Sequence, residues 1–313
     1  MTVKVVFMGT PDFAVPTLDA LVAQGWDVLV VTQPDRKVGR KRELTPPPVK
    51  IAALRHGLTV LQPDRVRQPE VIAKLEAFQP DLLVTAAYGQ LLPQAVLDLP
   101  ANGAVNMHAS LLPRWRGAAP IHRAIMAGDE STGVTLMEMV QALDAGPIVA
   151  VREIPILDTD DVGTLHDKLA ALGAEMVQNV LPAYIAGTID VTPQPDEGVT
   201  YAARIERKDE FISWNRPAKD VLRHIRGLSP WPGASGSLDD QDIKIWSAEI
   251  STSSMALRPG EVGRHGGSIL VGCQDGTLVL GDVQPAGKRK MNAVDWFSGL
   301  RRDRVQLLEG QSQ

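Results

Sequence analysis

The chain of 313 residues has one cysteine, Cys273, few aromatic residues and no long apolar run. A single cysteine excludes an intrachain disulfide, so nothing in the sequence requires an oxidising compartment. No stretch of eighteen apolar residues is present to cross a bilayer. The apolar run at the amino terminus is too short for a signal peptide, because Gly9 and Asp12 follow it closely. We therefore expect a cytoplasmic protein with no membrane partner, in which Cys273 is an ordinary core residue.

Two further absences bear on cofactors. The six histidines are scattered, none forms the His-Glu-x-x-His motif, and Cys273 has no second cysteine with which to hold a metal. The first predicted strand is followed by Gly9-Thr10-Pro11-Asp12. Here Pro11 stands where the dinucleotide-binding motif G-x-G-x-x-G needs its second glycine. We predict that the protein uses neither a metal nor NAD.

The apolar pattern of the first half predicts an α/β fold. The segment 3–8 is an apolar and β-branched run broken only by Lys4, typical of a buried parallel strand, and further strands are predicted over 27–32, 81–86, 103–107, 133–139 and 147–156. A helix is predicted over 14–22 with Asp12 as its cap, and a second follows a cap at Asp160 or Asp161. Strands that alternate with helices favour a doubly wound, mostly parallel, Rossmann-like sheet.

The composition changes after this half, and the length of the chain already favours two domains. The segment 187–208 is rich in Pro, Thr, Asp and Gly, which is typical of a linker. Beyond it, one helical patch at 218–226 is followed by short strands at 243–248, 268–271 and 277–280. We predict a domain at 1–188, a linker at 189–207, and a five-stranded, oligonucleotide-binding (OB)-like β-barrel at 208–313.

The candidate catalytic residues lie in two places. Asn106 and His108 are two residues apart at the end of a predicted strand, so their side chains share a face at the carboxyl edge of the sheet, where ligands bind. An amide and an imidazole suit acyl transfer, because donors stabilise the oxygen that becomes negative and His moves protons near neutral pH. Asp144, in Leu143-Asp144-Ala145-Gly146-Pro147, is a turn former or a carboxylate that orients His108.

A family resemblance decides between these alternatives. Asn106, His108, the run from Ser110 to Gly117 (SLLPRWRG) and Asp144 together resemble the 10-formyltetrahydrofolate-dependent formyltransferase family, as do the segments 7–14 and 33–36. The likeness extends almost from end to end. It implies that Asn106 and His108 stabilise the oxyanion while Asp144 acts through His108 or a water molecule. It also implies that a segment of four residues binds the folate: Ser110, Leu111, Leu112 and Pro113.

The resemblance further implies an acceptor. It predicts transfer of the formyl group from 10-formyltetrahydrofolate to the amino group of methionine on initiator tRNA, for translation initiation, by an enzyme that we expect to be a monomer. Five cations occur in the seven residues 36–42, in an expected loop, and Arg40, Lys41 and Arg42 are the candidates for tRNA contact. The clusters at 288–290 and 301–304 suggest a second tRNA surface.

Two other functions stay open at this stage. A folate-dependent formyltransferase of a small-molecule amine, such as an amino sugar, would use the same three catalytic residues but has no need of the basic insertion. A noncatalytic nucleic-acid-binding protein would account for the carboxyl-terminal barrel, but it leaves Asn106, His108 and Asp144 unexplained.

Overall fold

The computed structural model describes residues 2–39 and 42–310 and divides the chain into two compact units. The first unit comprises Met1–Gly117, Ser131–Ile154 and His166–Tyr201. The second comprises Ala118–Glu130, Pro155–Leu165 and Ala202–Gln313. No helix within the described ranges is both long enough and apolar enough to span a bilayer.

Among the described residues, ten strands precede residue 156. They are β1 Lys4–Gly9, β2 Asp27–Val31, β3 Arg36–Val38, β4 Glu43–Thr45, β5 Val60–Leu61, β6 Leu82–Ala86, β7 Ala104–His108, β8 Arg116–Gly117, β9 Ser131–Glu138 and β10 Ile148–Pro155. The described part of the first 185 residues also contains seven α-helices. They are α1 Val15–Ala23, α2 Pro48–Arg55, α3 Pro69–Phe78, α4 Gln94–Leu97, α5 Pro120–Ala127, α6 Val162–Asn179 and α7 Leu181–Ile185.

The first unit is built on a seven-stranded sheet with the order β10-β9-β7-β6-β1-β2-β5. The five strands from β7 to β5 are parallel to their neighbours, and β9 runs antiparallel to β7. Val5, Val6, Phe7 and Met8 on β1 are fully buried, which explains why this central strand is a continuous apolar run rather than an alternating one. The predicted doubly wound, mostly parallel sheet is confirmed.

Two helix starts illustrate how far local sequence rules reach. Asp161, one of the two residues predicted to cap the second helix, caps α6, because its Oδ1 accepts a hydrogen bond from the Thr164 amide at 2.8 Å. The prediction that Asp12 caps the first helix was wrong. A short 3₁₀ turn at Asp12–Ala14 precedes α1, whose N-cap is Ala14 without a side-chain hydrogen bond. The fixed φ of Pro16 in the first turn favours a helix start at this point.

Within the described residues, the second unit contains α5, short antiparallel strands and two further helices. The further helices are α8 Ala218–Arg226 and α9 Ala293–Leu300. The strands that follow residue 200 are β11 Tyr201–Ala202, β12 Ala234–Leu238, β13 Gln241–Ile245, β14 Ala248–Ile250, β15 Glu261–His265, β16 Ser268–Gly272, β17 Thr277–Leu280, β18 Asp282–Pro285, β19 Met291–Asn292, β20 Arg304–Gln306 and β21 Leu308–Glu309.

Ten of these strands form two five-stranded sheets, with the orders β19-β18-β13-β12-β21 and β14-β17-β16-β15-β20. Both sheets contribute to one apolar core that includes Trp214, Trp296 and Phe297. Cys273 is 3 % exposed in the same core, which confirms its prediction as a core residue. The carboxyl-terminal module is thus an antiparallel β structure as expected, with its strands divided between two sheets.

Candidate active site

Strand β7 carries Asn106 and His108 to the carboxyl edge of the parallel sheet. His108 is the last residue of the strand and is 6 % exposed, while Asn106 is partly exposed. Val105 and Met107, on either side of Asn106, are buried, as expected for side chains that alternate across a strand. The strand therefore places an amide and an imidazole side by side where open α/β sheets bind their ligands.

Asp144 reaches the same edge from the loop between β9 and β10. Its Oδ2 lies 3.6 Å from His108 Nδ1 and accepts a hydrogen bond from the Gly117 amide at 2.8 Å. The backbone of Asp144 has a φ of 46°, in the left-handed region that Asp tolerates better than most residues. The structure thus brings together the three residues predicted to be catalytic, although 36 residues of sequence separate His108 from Asp144.

The other ring nitrogen of His108 is held by the backbone. His108 Nε2 lies 2.9 Å from the Trp115 carbonyl oxygen, which can only accept, so Nε2 carries a proton. The second ring nitrogen, Nδ1, is the one that faces Asp144. Trp115 itself has a φ of 66°, which turns its carbonyl toward the ring.

The amide of Asn106 is oriented by a residue that the sequence analysis missed. Thr85 on β6 is buried, and its hydroxyl donates to Asn106 Oδ1 at 2.6 Å. Because Oδ1 is occupied in this way, the Nδ2 hydrogens remain as the donors that Asn106 offers to a ligand. The pairing of Thr85 with Asn106 across the parallel strands fixes this contact.

The predicted folate-binding segment, Ser110 to Pro113, is a tight loop fastened to β9. Thr135 on β9 donates its hydroxyl to the Ser110 carbonyl at 2.7 Å and accepts from the Leu112 amide at 3.1 Å. Ser110 is fully buried and donates to the Arg114 carbonyl at 2.7 Å. The side chains of Leu111 and Pro113 stay partly exposed, whereas Leu112 is buried.

A further loop, at 87–93, lies beside these groups and was not predicted. It follows β6, and the Tyr88 carbonyl accepts from Thr10 at 3.0 Å and from Gln33 at 3.2 Å. Gln141, three residues before Asp144, donates to the Leu92 carbonyl at 3.5 Å. Leu91 is 83 % exposed. The structure draws attention to this loop because an apolar side chain is so exposed there. The sequence Leu91-Leu92-Pro93 does not, because it is that of an ordinary loop.

The basic insertion is a hairpin where a loop was expected. Strands β3 and β4 pair antiparallel, with Arg36 opposite Thr45 and Val38 opposite Glu43. Arg42 is exposed, and its amide donates to the Gly39 carbonyl at 3.1 Å to close the turn. Both strands are wholly exposed, so they lack the alternation of apolar residues that would have predicted them. Arg40 and Lys41 lie outside the described residues.

The carboxyl-terminal basic clusters are exposed on the second unit. Lys288, Arg289 and Lys290 occupy the turn between β18 and β19, and Lys290 pairs with Asp282 at 3.0 Å. Arg302 pairs with Asp239 at 2.8 Å and Arg304 with Glu261 at 2.7 Å. These surface ion pairs neutralise part of the positive charge of the clusters.

Comparison with known sequences identifies the family. The family described as "Formyl transferase" matches residues 2–181, and "Formyl transferase, C-terminal domain" matches residues 204–301. The chain belongs to the formyl transferase family. Within this family, it is 48% identical over 300 residues to the methionyl-tRNA formyltransferase of Geobacillus sp. (strain WCH70), covering 95% of this chain and 94% of that one. It is also 48% identical over 299 residues to the enzyme of the same name from Bacillus subtilis (strain 168), again covering 95% and 94%.

Solved structures of more distant proteins share the fold of this formyl transferase. WlaRD, a sugar 3N-formyl transferase crystallised with dTDP and 5-N-formyl-THF, superimposes with a TM-score of 0.68 at 15% identity, covering 92% of this chain and 100% of that one. HypX from Aquifex aeolicus, in complex with tetrahydrofolic acid, gives a TM-score of 0.66 at 18% identity, covering 96% of this chain and 48% of that one.

Proposed function

We propose that this chain transfers the formyl group of 10-formyltetrahydrofolate to the amino group of methionine on initiator tRNA. The observation that carries the proposal is the convergence of Asn106, His108 and Asp144 at one edge of the sheet, with His108 Nδ1 3.6 Å from Asp144 Oδ2. Relatives that are 48% identical over 95% of the chain and bear the name methionyl-tRNA formyltransferase support the choice of acceptor.

The reaction needs a donor aimed at the formyl oxygen. When the amine attacks the formyl carbon, a carbon–nitrogen bond forms and the carbonyl oxygen becomes negative. The Nδ2 hydrogens of Asn106 are suited to stabilise this charge because Thr85 occupies the opposite end of the amide. His108 Nε2 is bonded to the Trp115 carbonyl, so His108 contributes to the oxyanion through the positive charge of its ring when Nδ1 is protonated.

The reaction also needs a route for protons. The attacking amine loses a proton, and N10 of the folate gains one as its bond to the formyl carbon breaks. His108 Nδ1 is the free position of the ring, and the carboxylate of Asp144 stabilises a proton there. We assign the two residues to this transfer as a pair, because Asp144 Oδ2 lies 3.6 Å from His108 Nδ1.

The folate site is proposed along two loops. A pterin is flat and apolar on its faces with polar edges, so it needs an apolar wall beside accessible backbone groups. Leu91 is exposed and Leu111 is partly exposed, and Gln141, on the loop of Asp144, donates to the carbonyl of Leu92 beside Leu91. The Leu112 amide is already bonded to Thr135, so Leu111 and Pro113 are the better contacts of the predicted segment.

The tRNA surface is proposed on the β3–β4 hairpin, with Arg40, Lys41 and Arg42 as contacts and the clusters 288–290 and 301–304 as a second surface. Arg36, Lys37 and Arg42 are exposed on this hairpin, as is the apolar Leu44. Exposed cations bind phosphates through release of counterions, and their contribution weakens as salt is added. An acceptor as small as an amino sugar has no use for such a hairpin.

Since aminoacyl-tRNA is used in the cytoplasm, we propose that the protein acts there. We also propose that it is a monomer, which light scattering would check.

The deciding experiment is a transfer assay. Purified protein is mixed with 10-formyltetrahydrofolate and initiator methionyl-tRNA, and formylmethionine is measured after hydrolysis of the ester. Free methionine and a nucleotide-linked amino sugar serve as alternative acceptors. Formylation of the tRNA alone is expected. Formylation of the amino sugar alone would establish the small-amine alternative, and folate turnover with no acceptor product would refute the proposed transfer.

Variants separate chemistry from binding. His108→Ala is expected to reduce kcat by about 100-fold or more while leaving tRNA affinity unchanged. Arg42→Ala is expected to raise KM for tRNA without changing kcat, and to reduce the salt dependence of KM. Arg67→Ala, which removes an exposed arginine before α3, is the matched control for charge. Equal losses of kcat and affinity in His108→Ala would instead indicate a binding or folding role.

A further inference from the structure

The segment 192–200, which the sequence analysis included in the predicted linker, is fastened to the catalytic loops of the first unit. We name it the site strap. Thr192 pairs antiparallel with Ile148 just after the Asp144 loop, with the two amide–carbonyl hydrogen bonds at 2.7 and 2.9 Å. The strap thereby runs alongside the loop that carries Asp144.

The side-chain amide of Gln194, within the site strap, forms hydrogen bonds through both its nitrogen and its oxygen. Its Nε2 donates to the carbonyl oxygens of Asp144 at 2.9 Å and Gly146 at 2.8 Å. Its Oε1 accepts from Arg116 Nη2 at 2.7 Å and Nε at 3.1 Å. Both hydrogens and both lone pairs of a glutamine amide are therefore used. One side chain joins the Asp144 loop to the loop that follows His108.

Thr200 completes the strap at its other end. The Trp115 amide donates to Thr200 Oγ1 at 2.9 Å, and the Arg116 amide donates to the Thr200 carbonyl at 2.9 Å. Trp115 is the residue whose carbonyl holds His108 Nε2. The strap thus supports the backbone on both sides of the His108–Asp144 pair, through Gln194 on one side and Thr200 on the other.

The Asp144 loop needs such support. Asp144 has a left-handed backbone, and a Cβ at Gly146 would collide with the Glu138 carbonyl oxygen, so the loop has little room to change its path. Loss of the two bonds from Gln194 frees the carbonyls on either side of Ala145, and the carboxylate moves with them. A displacement of about 1 Å of a catalytic group costs roughly 100-fold in rate.

We infer that Gln194 is a positioning residue that holds Asp144 in register with His108, an inference that rests on the proposed function for its catalytic consequence. Its amide is already bonded within the protein, so its loss is expected to reduce kcat and leave KM for tRNA unchanged. Because it acts through Asp144, its effect disappears when Asp144 no longer contributes a carboxylate.

The test is a double-mutant cycle in the full chain. Gln194→Ala is expected to lower kcat roughly 10- to 100-fold with KM for tRNA unchanged. Gln194→Glu, which keeps the acceptor for Arg116 but loses both donors, is expected to lose as much. In the Asp144→Asn background, Gln194→Ala is expected to change the rate by less than about twofold. Gln178→Ala, at an exposed glutamine on α6, is the control.

Hydrogen exchange of the amides at 139–146 gives a second measurement that needs no activity. Gln194→Ala is expected to speed exchange there and leave β1 unchanged, and Gln194→Met replaces it if the alanine variant does not fold. Wild-type rates in Gln194→Ala, wild-type rates in Gln194→Glu, or a full additive loss on Asp144→Asn would each overturn the inference. If the wild type does not formylate tRNA but exchange still rises, the proposed function fails and the positioning of the loop stands; unchanged exchange there would overturn it.

Discussion

Replacement of Thr85 by valine is the most direct test of how the amide of Asn106 is aimed. Valine has nearly the volume of threonine and the same β-branching, so it fits the buried position on β6 and removes only the hydroxyl. The hydroxyl has one proton, and of its three neighbours Asn106 Oδ1 is nearest at 2.6 Å, against 3.3 Å for the Val105 carbonyl and the Met139 sulfur. Its loss leaves Asn106 Oδ1 without this donor.

The size of the effect follows from that one bond. A hydrogen bond between neutral groups contributes about 0.5–1.5 kcal/mol net. If this energy is what keeps Nδ2 turned toward the formyl oxygen, its loss lowers kcat by about two- to tenfold, since roughly 1.4 kcal/mol corresponds to a tenfold change in rate. KM for tRNA is expected to stay the same. Asn106→Ala removes the donor altogether and is expected to cost about 100- to 1000-fold.

Single-turnover transfer with both substrates saturating is the appropriate assay, with thermal unfolding measured beside it. Thr85→Ser retains the hydroxyl and loses a methyl group, so it is expected to keep kcat while losing about 1 kcal/mol of stability. The reasoning would be refuted by Thr85→Val with wild-type kcat, because the orientation of Asn106 would then have another origin. A serine variant as slow as the valine variant would show that packing, not the hydroxyl, is responsible.

Three further predictions concern burial. Burial lowers the pKa of His122 and His224 below the ordinary 6.5, so the unfolded chain binds protons first and stability is expected to fall as pH decreases below about 6.5, as urea unfolding at pH 7.5 and 5.5 would measure. The desolvated Cys273 thiol has its pKa raised to about 12, so it is expected to react with a thiol reagent at pH 8 only after unfolding. Gly146→Ala is expected to reduce transfer strongly, because the added methyl meets the Glu138 carbonyl.

Each of these has an outcome that contradicts it. His224→Gln is expected to weaken the loss of stability on acidification, and an unchanged slope would exclude His224 as its source. Reaction of the native thiol at the unfolded rate would show that the core around Cys273 opens readily. Gly267→Ala has open space around the added methyl and is the control for Gly146→Ala; equal activity of the two variants would show that the Asp144 loop adapts to a side chain.

The sheet was predictable because its strands are buried on both faces. Each central strand therefore appears as a short apolar run, and the structure places β1, β6 and β7 within one residue or two of the predicted bounds. The helix α8, Ala218–Arg226, coincides with the predicted patch because its apolar residues recur on one face. Where a strand or helix is buried, apolar residues recur in the sequence in the pattern that its geometry requires, and the predictions were made from that pattern.

The hairpin shows the opposite case. Residues 36–38 and 43–45 are exposed on both faces, so no apolar alternation records that they pair. Their pairing depends on a turn at Gly39, with a φ of 71°, and on Arg42, with a φ of 52°. Turn residues of this kind permit a hairpin and equally permit an irregular loop, so the sequence alone indicated only a break in regular structure.

The catalytic residues could be predicted from the sequence, whereas the residues that support them could not. Asn106 and His108 share one strand, and a spacing of two has a fixed geometric meaning. Gln194 acts on Asp144 across 50 positions and on Arg116 across 78, and Thr200 acts on Trp115 across 85. Their partners are backbone carbonyls, amides and one guanidinium, which any polar side chain can bind when it lies close enough. Such contacts depend on which distant segments the fold brings together, and not on the local sequence pattern. It follows that a segment rich in Pro, Thr, Asp and Gly between two domains is poorly described by its composition: if Gln194 behaves as inferred, 192–200 is part of the active site.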